Sequence, residues 1–184
     1  MDFSRLEQYQ QLFYQGDWLQ KENEQLLKES KEIRKRADLL LEDQVVFTDC
    51  LDMEACENPY SLSKFKWNTS PTNDSEWIFM LNRQGYLLDL AMCYRMTLKE
   101  KYLVKYKEIL FQFIEKNGAP SEASQRSWRT IDTGIRLMNW IKSWTYLDVL
   151  DTFNRQEQEL LQQAIHIHVD YILTTFLPKI VSAS

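Results

Sequence analysis

A chain of 184 residues with 44% hydrophobic and 13% aromatic content can bury one sizeable core, hiding roughly 70% of its unfolded surface, and lies far from the composition of disorder. Its net charge of -5, with no uninterrupted basic stripe, argues against nucleic acid as a partner, because phosphates must be neutralised by Lys and Arg. No run approaches the roughly 20 apolar residues that span a bilayer, and the N-terminus lacks a basic segment followed by an apolar one. The chain as given is therefore expected to be cytoplasmic and to have no membrane partner, or to be periplasmic or secreted if a signal peptide has been removed.

Only four Gly and four Pro interrupt the sequence, which favours long helices. Residues 2–15 and 18–42 read as two polar-rich helices, with Leu19, Leu26, Leu27, Ile33, Ala37, Leu40 and Leu41 at helical spacing and Gly16 as the break. The basic residues of Lys28–Arg36 are interleaved with Glu29 and Glu32, as on a solvated helix face. Val45, Val46 and Phe47 predict one small strand. From Cys50 to Ser75, Asn58, Pro59, Asn68, Pro71 and Asn73 break the pattern into a long loop, which Tyr60, Phe65 and Trp67 would pack onto the core.

Asn73 and Glu76 stand at capping spacing before a helix predicted from Glu76 to about Met96. Thr97 and Glu100 read as a capping box opening a second helix that ends near Asn117 and Gly118. After Pro120 the unit recurs. A helix is predicted from about Ser127 to Leu150, then a capping signal at Asn154 and Glu157, then a helix to about Phe176, before Pro178. Helical hairpins recurring every roughly 50 residues are the organisation of an α-solenoid or an α/α toroid, so the fold class is all-α.

Chemistry-bearing residues concentrate in two of these helices. Arg129, Asp132, Arg136 and Asn139 are separated by three, four and three residues and share one helix face, away from Ile131, Ile135 and Met138. Two readings follow: an Arg–Asp–Arg ladder joining helices, or an anion pocket, since a guanidinium fork matches a carboxylate or sulfate. Asn82 and Arg83 sit beside Trp77, Phe79 and Leu81, which read as core. A buried arginine there needs partners. Six tryptophans and nine tyrosines fit helical cores and also fit a carbohydrate-binding face.

His166 and His168, two apart, lie on different helix faces and read as ordinary helix residues rather than a metal pair. Cys50, Cys56 and Cys93 make an odd count without zinc spacing, so they read as structural or free thiols. No serine elbow, cysteine–base pair or phosphate-cradling glycine loop is present, and no cofactor or metal is implied.

Ala37 and Asp38, Val46 and Phe47, Trp67 with Pro71, Glu76 and Trp77 before Leu81, Asn82 and Arg83, and Thr97 before Tyr102 together resemble the N-terminal region of the heparinase II/III-like polysaccharide lyases. Trp128, Arg129, Asp132, Gly134, Ile135, Arg136, Asn139 and Trp140 are similar to that family's next motif, in the same order. The resemblance divides the chain into an N-terminal helical extension, residues 1–34, and a heparinase-like helical domain, residues 35–184. It implies helical hairpins forming part of an incomplete (α/α) toroid, which in the whole enzyme precedes a β-sandwich-rich region.

It further implies cleavage of an acidic, uronate-containing polysaccharide by β-elimination. The Asn or His, Tyr and His groups used for that chemistry lie downstream of the matched stretch, so no catalytic residue is assigned here and this chain alone is expected to be inactive. Asn82, Arg83, Trp128, Arg129 and Arg136 are the expected substrate-binding residues. The expected partners are an acidic polysaccharide or oligosaccharide, the remaining C-terminal part of the same enzyme, and a second copy through exposed helix faces. The alternatives are a helical-hairpin scaffold and a stand-alone carbohydrate-binding module without catalysis.

Overall fold

The computed structural model describes residues 5, 8, 24–48, 55–64, 67–72 and 74–181. Arg5 and Gln8 are helical, and the rest of the helix predicted over residues 2–15 lies outside the described residues, as do Cys50, Phe65 and Asn73. The described elements are α1 (Glu24–Leu41), β1 (Gln44–Phe47), β2 (Cys56–Ser61), α2 (Ser75–Arg83), α3 (Leu87–Thr97), α4 (Glu100–Asn117), a 3-10 turn (Glu122–Ser124), α5 (Thr130–Tyr146), α6 (Val149–Thr152) and α7 (Arg155–Val181). No helix among the described residues is long and apolar enough to cross a membrane.

Packing follows the hairpin plan. Helix α3 lies against α1, α4 and α5, α5 also holds α2 and α7, and the result is an all-α array that forms part of an (α/α) toroid. One continuous core runs through it, from Ala37 and Leu40 of α1, through Ile78, Leu90, Leu110 and Phe113, to Trp140, Trp144 and Leu161. Arg36 ties α1 to α3 with two bonds to the Asp89 carboxylate, Nε to Oδ2 at 2.9 Å and Nη2 to Oδ1 at 2.7 Å, the fork geometry in which a partly buried pair holds best.

The predicted strand at Val45–Phe47 exists, and it acquires a partner that the loop-like sequence of β2 hides. The two strands are antiparallel, Val45 facing Tyr60 and Phe47 facing Cys56, with an irregularity between. Pro59 is tolerated because β2 is an edge strand needing only one set of partners. Asp43, at φ 62, turns the chain into β1, and its Oδ2 accepts hydrogen bonds from the hydroxyls of Ser61 and Ser63 at 2.6 Å each.

Four helix boundaries differ from the sequence reading. The helix predicted from Glu76 to Met96 is two, broken by Gln84 in the left-handed region at φ 54. Asp74 caps α2, accepting from the Glu76 amide at 2.9 Å. The Thr97–Glu100 box does not form: α4 starts after Lys99 with no side-chain cap, and Thr97 is the last residue of α3, its hydroxyl donating back to the Cys93 carbonyl. The helix expected to end at Leu150 stops at Tyr146, with α6 following, and α7 continues through Pro178. The box at Asn154 is present: Glu157 N donates to Asn154 Oδ1 at 2.9 Å, and Asn154 N donates to Glu157 Oε2 at 2.8 Å.

Candidate functional site

Helix α5 buries a polar stripe beside its core tryptophans, Trp140 and Trp144. Its polar residues Asp132, Thr133, Arg136, Asn139 and Ser143 are buried, whereas Ile131 is 58% and Met138 46% exposed. The break in the preceding hairpin explains this. Because α2 stops at Arg83, the carbonyls of its last turn have no intrahelical partner and need donors from elsewhere. Tyr86 Oη donates to Leu81 O at 3.2 Å, Arg136 Nη1 to Asn82 O at 2.9 Å, and Asn139 Nδ2 to Arg83 O at 2.8 Å. Trp140 Nε1 fixes the strained residue itself through Gln84 Oε1 at 2.6 Å. The polar stripe of α5 is thus the C-terminal cap of α2, with a cation at the negative end of that helix.

Arg136 is completely buried and lies between the rings of Phe113 and Trp128, its guanidinium 4.7 Å and 5.0 Å from their centroids. Its second Nη1 bond goes to Ser127 O at 2.9 Å, and its Nε donates to Nε2 of His168 at 2.9 Å. An arginine only donates, so His168 Nε2 must accept and its proton must sit on Nδ1, which faces Ala164 O at 2.7 Å. Burial first, and then the Arg136 charge, pull the His168 imidazole down to about 3, which keeps it neutral. Burial pulls Arg136 down to about 9, against the opposing pull of Asp132, and the guanidinium keeps its proton at neutral pH. Trp128 completes this box, buried beside His168 and donating from Nε1 to Asn117 O at 2.9 Å.

A second cluster is centred on Asp132, whose side chain is fully buried. Arg83 Nε donates to its Oδ1 at 2.7 Å, and Arg129 Nε lies 3.4 Å from its Oδ2. The ladder is therefore Arg83–Asp132–Arg129, and Arg136, read from spacing as its third member, instead turns to the carbonyls of the helix break. Arg129 stacks on Phe79, with its guanidinium carbon 3.6 Å from the ring centroid.

Of the five residues singled out in the sequence, Asn82, Trp128 and Arg136 are buried at 0–1% exposure, Arg83 is 8% exposed, and Arg129 has 41% of its side chain open to solvent. The structure brings all five to the junction of α2 and α5. Asn82 acts there as a brace, its Nδ2 donating to Trp67 O at 2.6 Å and to Ile78 O at 2.8 Å. Sequence reasoning missed His168 and the Phe79 platform. His168 carried a usable signal, because Leu161, Ala164 and Ile165 share its helix face and all are buried. Nothing in the sequence pairs Phe79 with Arg129.

Among the described residues no group of His, Cys, Asp or Glu is arranged to hold a metal ion. Most buried polar groups of this junction hold helices together, while Asn82 Oδ1, Gln84 Nε2 and Asp132 Oδ2 accept or donate no hydrogen bond among the described residues.

This fold is found in solved structures. A heparan sulfate lyase HepC from Pedobacter heparinus superposes with a TM-score of 0.66 at 20% identity, over 79% of this chain and 22% of that one. A mutant of the same lyase gives 0.67 at 19% identity over the same shares. A heparinase III described as the BT4657 gene product gives 0.61 at 18% identity, over 79% of this chain and 25% of that one. The chain thus spans about a quarter or less of the length of these solved proteins. The comparison with curated proteins gives no match. Residues 7–179 match the heparinase II/III N-terminus family, and the chain belongs to it.

Proposed function

We propose that this chain is the N-terminal toroid portion of a polysaccharide lyase that cleaves an acidic, uronate-containing polysaccharide by β-elimination. The observation that carries the reading is the family match over residues 7–179. The named activities of the solved proteins of like fold, heparan sulfate lyase and heparinase III, support it.

Such an elimination needs three things: a group that neutralises the uronate carboxylate, a base for the C5 proton, and an acid for the leaving oxygen. Within this chain His168 is committed to Arg136, and Arg136 to carbonyls, so neither is free to move a proton on a substrate. The chain's contribution is a braced wall, and the reacting groups come from outside it. Alone, it releases no product.

A second reading, a helical-hairpin scaffold without catalysis, draws on the burial of Asn82, Trp128 and Arg136 in contacts between helices. The polypeptide as translated in its own cells separates the two. It is purified, its mass is measured, and it is incubated with heparan sulfate, hyaluronan and alginate while the ultraviolet absorbance of unsaturated uronate is followed. Absorbance growth with any of these supports the lyase. A polypeptide heavier than 22.1 kDa that leaves all three intact contradicts it, and one of about 22.1 kDa favours the scaffold.

A further inference from the structure

Arg129 differs from its neighbours in what its guanidinium leaves unused. The Nε edge faces Asp132 at 3.4 Å and one plane is covered by Phe79 at 3.6 Å, yet neither Nη has an acceptor among the described residues. The group is therefore held in orientation without being satisfied. Its two Nη donors form the end-on fork that fits two oxygens of one oxyanion.

The charge balance points the same way. Asp132 is the carboxylate paired with both Arg83 and Arg129 in the described residues, and its charge also reaches Arg136. Two guanidinium groups thus pair with one carboxylate and a third, Arg136, lies nearby on neutral acceptors, a surplus of positive charge at a junction where Arg129 is the member open to solvent. Stacking and tethering remove much of the rotamer entropy that a free surface arginine loses on binding. Arg83 and Arg136 cannot serve in this way, being buried with their donors turned inward.

We infer that Arg129, on its Phe79 platform, is an oxyanion-binding residue of this chain that takes a sugar carboxylate or a sulfate ester through both Nη groups, with Asp132 and Phe79 as positioning residues. The inference rests on the acidic-polysaccharide reading, narrows five expected residues to one and adds the chemical group it takes.

The test uses the full 184-residue chain and four probes: a heparan-type hexasaccharide, its desulfated form, its carboxyl-reduced form, and a neutral hexasaccharide of equal length. Binding is measured by titration at low and at moderate salt, with urea midpoints checking that each variant is folded. The parent binds the first probe more weakly as salt rises, and ignores the neutral one. Arg129→Ala loses about tenfold or more, the size of a charge-assisted contact. Arg129→Lys, which keeps the charge without the fork, falls between, and Arg155→Ala, which removes an exposed charge from α7, changes nothing. Loss of binding on desulfation assigns the sulfate as the contact, and loss on carboxyl reduction assigns the carboxylate. A folded Arg129→Ala that binds like the parent overturns the Arg129 site and leaves the substrate class standing. A parent that binds none of the probes overturns the site too, and one that takes the neutral sugar equally well overturns both.

Discussion

Arg136 directs its Nε–H at an imidazole nitrogen instead of a carboxylate, and the core's response to acid follows from that. Folded, His168 stays neutral down to about 3, against an ordinary value of 6.5. Unfolded, it takes up a proton below about 6.5. Between these values acid favours the unfolded chain, so the contribution is complete above about 6.5 and is lost at about 1.4 kcal/mol per pH unit as pH falls. His168→Gln keeps an amide oxygen as acceptor and does not titrate. Its urea midpoint is expected to fall less steeply than the parent's from pH 6.5 to 4, and parallel curves would contradict the assignment. His168→Leu strands the Arg136 Nε and should cost about 1.5–3 kcal/mol at pH 7 in the same measurement. The arginine was legible in the sequence because its spacing from Asp132 and Asn139 stands out. Its partner was not, because His168 is 32 residues away and only folding brings it near.

In helix α5, counting in steps of three and four groups Asp132, Arg136 and Asn139 on one face, and the structure buries that face between helices as a ladder requires, although Arg136 turns to carbonyls and the ladder's other arginine is Arg83. That face is buried because α2 ends early, at Gln84 with φ 54, and Gly85 directly after it is the helix-stop signal that an uninterrupted helix from Glu76 to Met96 ignores. Two substitutions check the buried face. Ile131→Ser, on the exposed side, is expected to shift stability by no more than about 0.5 kcal/mol. Asp132→Ala, which leaves Arg83 buried and uncompensated, is expected to cost about 3–5 kcal/mol in urea denaturation.

Capping was legible at one helix and not at another. Asn154 and Glu157 form their box, so Asn154→Ala should lower stability by about 1 kcal/mol. Thr97 is ambiguous in sequence because its hydroxyl can also bond backward along its own helix, as it does to Cys93 O. Thermal melts should show Thr97→Ala to be the milder of the two.

At the scale of the whole molecule, the succession of hairpins was readable because helix-breaking residues are few and each later helix carries an apolar face. Strand β2 was not, since Cys56–Ser61 contains Asn58 and Pro59 and gains its order only by pairing with β1. The ordered series of motifs that carried the family resemblance lies mainly at the α2–α5 junction, where Asn82, Arg83, Trp128, Asp132 and Arg136 brace the fold. The structure therefore gives those five residues a packing role, and leaves Arg129 of the same motif, the residue proposed above to take an oxyanion, as the one open to solvent.

A toroid portion that serves a lyase implies that the whole native polypeptide breaks an acidic polysaccharide by elimination. Mass spectrometry of the oligosaccharides released from an acidic polysaccharide by the native polypeptide tests it most directly, because elimination and hydrolysis leave different ends. Fragments carrying an unsaturated uronate at the new non-reducing end are expected, each lighter by one water than the corresponding hydrolysis product. Internal fragments with saturated ends, or a polysaccharide left undegraded by a polypeptide heavier than 22.1 kDa, would contradict it.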